Sequence, residues 1–377
     1  MSDKLHFETQ AIQSTLVKDA QASSVTQPIY LTTTFERETD GSYPHGFVYS
    51  RLDNPNRKQL EASVALLENG DKAFAFASGM ASINAMFQTL KTGDHVIIPD
   101  DAYYATEILL RDVYERWGLQ MTKVDMSNND AVQKAVQPNT KMIWVETPSN
   151  PLLKVSDIES IAAIAHKAGA LCVVDNTWAT PVMQLPLTLG ADAVMHSTTK
   201  YYGGHCDVLG GILIIKSNNE LAEKISSIQT KGGAVPSPFD CWIISRGIKT
   251  LSLRVKAQTE SAGKLAEYLS THPKVEKVNY PGLKSHLQHA IAAKQMKGGF
   301  GAMLSVQIKG DAKAAMELTG RLKLFTTATS LGGVESLVEH RRSVEGPYSV
   351  TPDNLLRVSV GLEHIDDLIN DWKQALG

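Results

Sequence analysis

Between residues 57 and 200 short apolar runs alternate with longer segments whose apolar residues recur every three or four positions. Short runs bounded by turn formers read as buried strands, and the three-to-four spacing reads as helix. The strands predicted in this way are Ala73–Ala77 (AFAFA), HVIIPD, KMIWVETP, ALCVVDNT and ADAVMHS. The helices are RKQLEASVALLENG, stopped by Asn69-Gly70, then SGMASINAMFQTL, EILLRDVYERWG and DIESIAAIAHKAGA. Strands that alternate with helices predict a mainly parallel sheet covered on both faces, an α/β fold. Ligands of such sheets bind outside the carboxyl ends of the strands. The residues that follow each apolar run are therefore the ones to inspect.

The pattern differs at both ends. Residues 1–50 are rich in Gln, Ser and Thr, carry QPIYLTTTF and the turn-like DGSYPHG, and read as an extended arm. Near residue 240 the stretch CWIISRGIKTLSLRVKAQTESAGKLAEYLSTH reads as one long helix leading out of the first domain. VEKVNYPG, GAMLSVQIKG and NLLRVSVGLE follow as strands with helices between them, a smaller α+β region. The expected division is an arm over 1–50, an α/β domain over 51–248 and a C-terminal α+β domain over 249–377.

Composition narrows the function classes. The 377 residues are 43% hydrophobic and 20% charged, ordinary for a globular chain of this length. Net charge is −3, from 37 basic and 40 acidic residues, which gives no electrostatic case for nucleic acid or an anionic membrane. No apolar run approaches the roughly 18 residues of a membrane-spanning helix, and MSDKLHFETQ has no apolar signal core. Cys172, Cys206 and Cys241 show no CxxC spacing, which favours a reducing, cytoplasmic setting. The eleven histidines form no metal-ligand pattern, so no metal is expected. No G-x-G-x-x-G or G-x-x-x-x-G-K-[ST] supports a dinucleotide or P-loop nucleotide site.

The candidate chemistry sits at the strand ends. ADAVMHSTTK ends in Lys200, which lies 25 positions after Asp175 at the end of LCVVD. A lysine and an aspartate closing successive buried strands suit pyridoxal phosphate (PLP): the lysine anchors it covalently and the acid keeps the ring nitrogen protonated. Read alone, Asp175 is equally suited to capping a helix begun by Asn176 and Thr177. Ser197 and Thr199 flank Lys200 with hydroxyls able to meet a phosphate. Ser78-Gly79-Met80 follows AFAFA and opens a helix, where free N–H groups and the helix dipole favour an anion. Tyr103 follows HVIIPD, a position from which its ring can stack on a planar cofactor and its hydroxyl can act as acid or base. Asn150 follows KMIWVETP at a turn. Tyr49 and Arg51 lie in the arm, and an arginine fork suits phosphate. Arg357 interrupts the apolar strand LLRVSVGLE, so it needs an anionic partner: a substrate carboxylate, or a structural Asp or Glu.

These segments together resemble the Cys/Met-metabolism family of fold-type I PLP enzymes. The resemblance runs through QPIYLTTTF, YSRLDNPN, FASGMAS, ETPSNP, VVDNTWATP, HSTTKYYGGH, AVPSPFD, SRGIKTL, SLGGVESL and LLRVSVGLE, nearly the whole chain. It implies a mainly parallel seven-stranded sheet domain, PLP as cofactor and an amino-acid substrate. It implies a homotetramer built from two active-site dimers. Lys200 becomes the covalent anchor and proton carrier, and Asp175 the partner of the ring nitrogen. Gly79, Met80, Ser197 and Thr199 become phosphate ligands, with Tyr49 and Arg51 supplied by the neighbouring subunit. Tyr103 stacks on the ring, Asn150 sits near the ring hydroxyl, and Thr177 lies against the ring face. Arg357 and the Ser330 segment receive the substrate carboxylate.

The departures concern the far end of the substrate. Members acting on cystathionine commonly carry Y-G-G-T-x-R after the stacking tyrosine, whereas YYATEI puts Ile108 at the arginine position. They commonly carry Glu before S-L-G-G, where this chain has Thr329. Methionine γ-lyases typically have a cysteine where Ala105 stands, and β-lyases usually have S-W-G-G in place of SLGG. The implied activity is γ-replacement on an activated homoserine ester by a thiol. The alternative is γ-elimination from cystathionine or methionine.

Overall fold

The computed structural model describes residues 5–17, 19, 21–216, 220–346 and 349–377. The first four residues of the expected arm, with residues 18 and 20, lie outside the described residues. Seven strands form the larger sheet: β1 (Lys72–Phe76), β2 (His95–Pro99), β3 (Gln120–Val124), β4 (Thr140–Glu146), β5 (Leu171–Asp175), β6 (Ala193–His196) and β7 (Gly211–Ile215). Their order is β1-β7-β6-β5-β4-β2-β3. Every pairing from β6 across to β3 is parallel, and β7 runs antiparallel to both of its neighbours.

Strand alternation builds a core on each face. Ile97, Ile143, Val145, Cys172 and Val174 join one buried cluster, while Val96, Ile98, Met142, Trp144 and Val173 join the other. A period-two backbone sends neighbours to opposite faces, so a sheet covered twice needs continuous apolar runs. This is why HVIIP and GILII are buried at every position. Two strands of this sheet escaped the sequence reading. β3 is an edge strand of mostly half-buried residues and lacks an apolar run. β7 is apolar but follows the Lys200 segment without an intervening helix, so it fits no strand–helix alternation.

The antiparallel β7 has a consequence for the site. Two reversals leave β1 parallel to β6, so Ser78 and Gly79 emerge at the same edge as Ser197 and Lys200. The expected long helix near residue 240 is instead two helices, Pro238–Ile248 and Leu251–Ser270. The Gly247 carbonyl accepts from Thr250 N at 3.2 Å and from Arg254 Nη2 at 2.8 Å, which ends the first helix there. The arm also departs from a wholly extended form, since Phe7–Gln13 is helical.

A second sheet follows: β8 (Val275–Asn279), β9 (Met303–Ile308), β10 (Thr326–Thr327), β11 (Leu337–His340) and β12 (Leu355–Ser359), ordered β10-β11-β12-β9-β8. It is antiparallel except between β10 and β11. Its register sets Glu339 directly opposite Arg357, both buried. No described helix is long and apolar enough to cross a membrane.

Candidate active site

A cavity of about 370 Å³ lies between the carboxyl edge of the first sheet and the second sheet. The first sheet contributes Gly79, Met80, Tyr103, Asp175, Ser197 and Lys200 to its wall. Asn150, Thr177 and Thr199 line it as well, and the second sheet's side adds Thr329, Ser330 and Arg357. Three expected residues stand elsewhere. Ile108 lines an adjoining cavity of about 260 Å³ that shares Tyr103, Tyr104 and Asn150 with the first. Tyr49 and Arg51 do not line this chain's own cavity: Arg51 Nη1 donates to Thr230 O at 2.6 Å and its guanidinium lies 5.6 Å from the Tyr49 ring centre.

Lys200 reaches the cavity from the turn after β6, and its Nζ donates to Ser330 Oγ at 2.8 Å. Burial and the nearby Arg357 charge lower its pKa to about 8, because both disfavour the ammonium form. A neutral amine is the form that attacks a carbonyl. Ser330 holds Lys200 from a left-handed backbone, φ +98°, unusual outside glycine. Its carbonyl is fixed by Arg357 Nη2 at 3.1 Å.

Asp175 closes β5, where the sequence left helix capping open. It accepts from Thr177 N at 3.0 Å, and the helix that follows starts only at Thr180. It stands in register with Glu146 on β4. Burial pushes both carboxyls up, Glu146 well above the usual carboxylate range because Asp175 also faces it. A cation placed beside Asp175 would relieve this pair by stabilising the Asp175 carboxylate. Glu146 also accepts from Tyr103 N at 2.8 Å, which fixes the turn that presents Tyr103. Burial and Tyr104 raise the Tyr103 hydroxyl, so it stays protonated near neutral pH and serves as a donor.

Ser78 caps the helix Gly79–Phe87 by accepting from Ala81 N. A Cβ at Gly79 would come within 2.8 Å of Ser197 Oγ, so only glycine keeps the helix start and the Ser197 hydroxyl together. Ser197 N donates to Thr177 Oγ1 at 2.9 Å. The Thr199 hydroxyl is already engaged, accepting from Gly210 N at 3.0 Å and donating to Gly210 O at 3.2 Å.

Of the two partners left open for Arg357, a structural acid is present. Its Nη2 donates to Glu339 Oε2 at 2.7 Å and its Nη1 to Asn150 Oδ1 at 3.3 Å. The Asn150 amide thus ties the first sheet's loop to the arginine. Glu339, Arg341, Glu146 and Tyr104 were missed in the sequence. Glu339 interrupts the apolar run LVEH just as Arg357 interrupts LLRVS, so the same reasoning would have found it once β11 was recognised.

The donor set fits PLP. A lysine of lowered pKa faces into the cavity, a buried carboxylate has no ion-pair contact among the described residues, and a capped helix start abuts Ser197 where no Cβ intrudes. A model of the Cys/Met metabolism PLP-dependent enzyme family matches residues 8–377. The chain belongs to that family: it is a fold-type I, PLP-dependent enzyme of transsulfuration acting on amino acids. At finer grain its relatives diverge. It is 48% identical over 375 residues to the cystathionine gamma-synthase of Mycobacterium tuberculosis H37Rv, covering 98% of this chain and 96% of that protein. It is 44% identical to the cystathionine gamma-lyase of Bacillus subtilis 168, covering 98% of each chain. It is 43% identical to the cystathionine beta-lyase of Coxiella burnetii RSA 493, covering 99% of this chain and 98% of that one. The crystal structure of metB from Corynebacterium glutamicum superposes with a TM-score of 0.97 at 43% identity, covering 100% of this chain and 99% of that one.

Proposed function

We propose that the enzyme catalyses γ-replacement on an activated homoserine ester, with a thiol as nucleophile. The observation that carries this reading is the wall facing Lys200. Thr329 brings no charge to the cavity, and Ile108 lies outside it. The two arginines on the second-sheet side are matched by Glu339 and Glu345. Such a wall holds no charged partner for the group on the γ-oxygen, which suits an acyl group that has only to leave.

In this reading Arg357 holds the substrate α-carboxylate and Asp175 faces the cofactor's ring nitrogen. Gly79, Met80 and Ser197 hold the phosphate, and Thr199 joins them when its hydroxyl turns from Gly210 O. Bound PLP supplies an electron sink for negative charge at Cα. The Lys200 amine removes the Cα proton and then moves a proton from Cβ as the γ-substituent leaves. Tyr103, kept protonated, donates a hydrogen bond within the cavity. The Cγ–O bond breaks and the acyl group departs as a carboxylate; the thiol gives up its proton as its sulfur bonds to Cγ, and Lys200 returns protons to Cβ and Cα. The arm fits a role across a subunit boundary, with Tyr49 and Arg51 completing a neighbour's site in a tetramer of two such dimers.

γ-Elimination shares these steps up to loss of the γ-substituent, so it remains the second reading. Incubation with O-acetyl- or O-succinylhomoserine, with and without cysteine, separates them. Cystathionine formed from ester and cysteine is the expected result. Ammonia and 2-oxobutanoate released from cystathionine or methionine alone, without ester replacement, would reverse the assignment.

A further inference from the structure

Beside Arg357 a second buried arginine lines the same cavity, and the reaction described above gives it no role. Arg341 Nη1 donates to Glu339 Oε2 at 2.7 Å, the same oxygen that accepts from Arg357 Nη2 at 2.7 Å. Its Nε donates to Glu345 Oε1 at 3.0 Å. Its Nη2 lies 2.9 Å from that oxygen without an aligned hydrogen bond. The guanidinium also sits 5.9 Å from the Tyr104 ring centre. Glu345 is held in turn by the Ser349 and Thr351 hydroxyls.

The charges decide what this arrangement does. Arg341 and Arg357 balance Glu339 and Glu345. Take away Arg341, and an anion approaching Arg357 meets one positive and two negative side chains. Buried charges a few ångströms apart interact strongly even when partly screened, and removing one partner of a buried pair leaves the other uncompensated. We propose that Arg341 is a positioning residue for substrate-carboxylate recognition: it offsets Glu339, so that Glu339 aligns Arg357 without cancelling its attraction for a carboxylate. This rests on the reading of Arg357 as the α-carboxylate site. It adds a residue that sets affinity for α-amino acids as a class.

The test uses the holoenzyme and the shift of its visible cofactor band on titration with L-alanine, which has no γ-substituent to lose. Ethylamine, alanine without its carboxylate, is the control. In Arg341→Met the Kd for alanine should rise about tenfold or more, and that for ethylamine should not change. Adding Glu339→Gln to Arg341→Met, which keeps an acceptor for Arg357 and removes the charge, should restore alanine binding to within about threefold of the parent. Equal weakening for both ligands, or failure of the second substitution to rescue, would overturn the proposal. Should Arg341→Met fail to fold, Glu339→Gln alone decides: alanine should bind more tightly, and unchanged or weaker binding contradicts the charge argument. Arg357→Met separates the two layers. If it leaves alanine affinity intact, the carboxylate-site reading itself fails. If it weakens alanine while Arg341→Met does not, only the role of Arg341 fails.

Discussion

The two walls of the cavity are built on different principles. The first-sheet wall consists of strand ends: Asp175 closes β5, Lys200 follows β6, and Gly79 opens the helix after β1. Each is placed by its own strand and by one or two short hydrogen bonds, such as Asp175 to Thr177. The second-sheet wall is a buried charge network in which Arg357, Glu339 and Arg341 hold one another across two strands. In a wall fixed by topology one side chain can change without moving its neighbours, whereas in the other wall the charges must balance together. We therefore expect the first to set the chemistry and the second to set which substrate is held.

The largest effect should come from Asp175→Ala. Removing the carboxylate proposed to face the ring nitrogen should cut kcat by about 10²–10³-fold, the usual cost of losing a positioned group at a reacting centre. Steady-state kinetics with saturating PLP measure it. A drop confined to KM would mean that the first wall serves substrate binding after all.

Next comes the pH dependence of cofactor capture. The Lys200 ammonium must lose its proton before it can attack the PLP aldehyde, and its pKa is lowered to about 8. Reconstitution of the apoenzyme should therefore speed up as pH rises through about 8 and level off above it. Below that, the rate should fall about tenfold per pH unit. A limb that continues to rise towards the ordinary lysine range would show that burial and Arg357 do not act on this amine.

Gly79→Ala should have an intermediate effect. Its Cβ would lie 2.8 Å from Ser197 Oγ. Overpacking of this kind costs about 1–3 kcal/mol, which corresponds to a PLP Kd raised by roughly five- to a hundredfold. Equilibrium dialysis should register the loss while kcat at saturating PLP changes little.

How far each wall was legible in the sequence follows from its construction. Asp175, Lys200 and Gly79 stand at abrupt ends of apolar runs, a local signal that needs no knowledge of pairing. Arg357 was legible as an anomaly, an arginine in an apolar strand, but its partner was not. Glu339 faces it only through the β11–β12 register, and β11 spans four residues after a loop that begins at Ser330 with a positive φ. β7 was overlooked because it breaks the strand–helix alternation, although its antiparallel run brings the Gly79 helix to the Lys200 edge. Ile108 was grouped with Thr329 as a substrate residue by motif position, and the fold separates the two into adjoining cavities.

The smallest effect tests that separation. Thr329→Glu, inside the Lys200 cavity, should shift the preference between acylhomoserine and cystathionine by about tenfold. Ile108→Arg alone should shift it by less than about twofold, since it changes a neighbouring cavity. Equal shifts from both, read as ratios of kcat/KM, would join the two cavities into one substrate pocket.

The division of labour between the walls depends most directly on where the cofactor is attached. Reducing the PLP-loaded enzyme with borohydride, then digesting it and mapping the phosphopyridoxyl group by mass spectrometry, locates that attachment. The account predicts the group on Lys200, and its loss together with the visible band in Lys200→Ala. A phosphopyridoxyl group on any other lysine, or a visible band that survives Lys200→Ala, would contradict it.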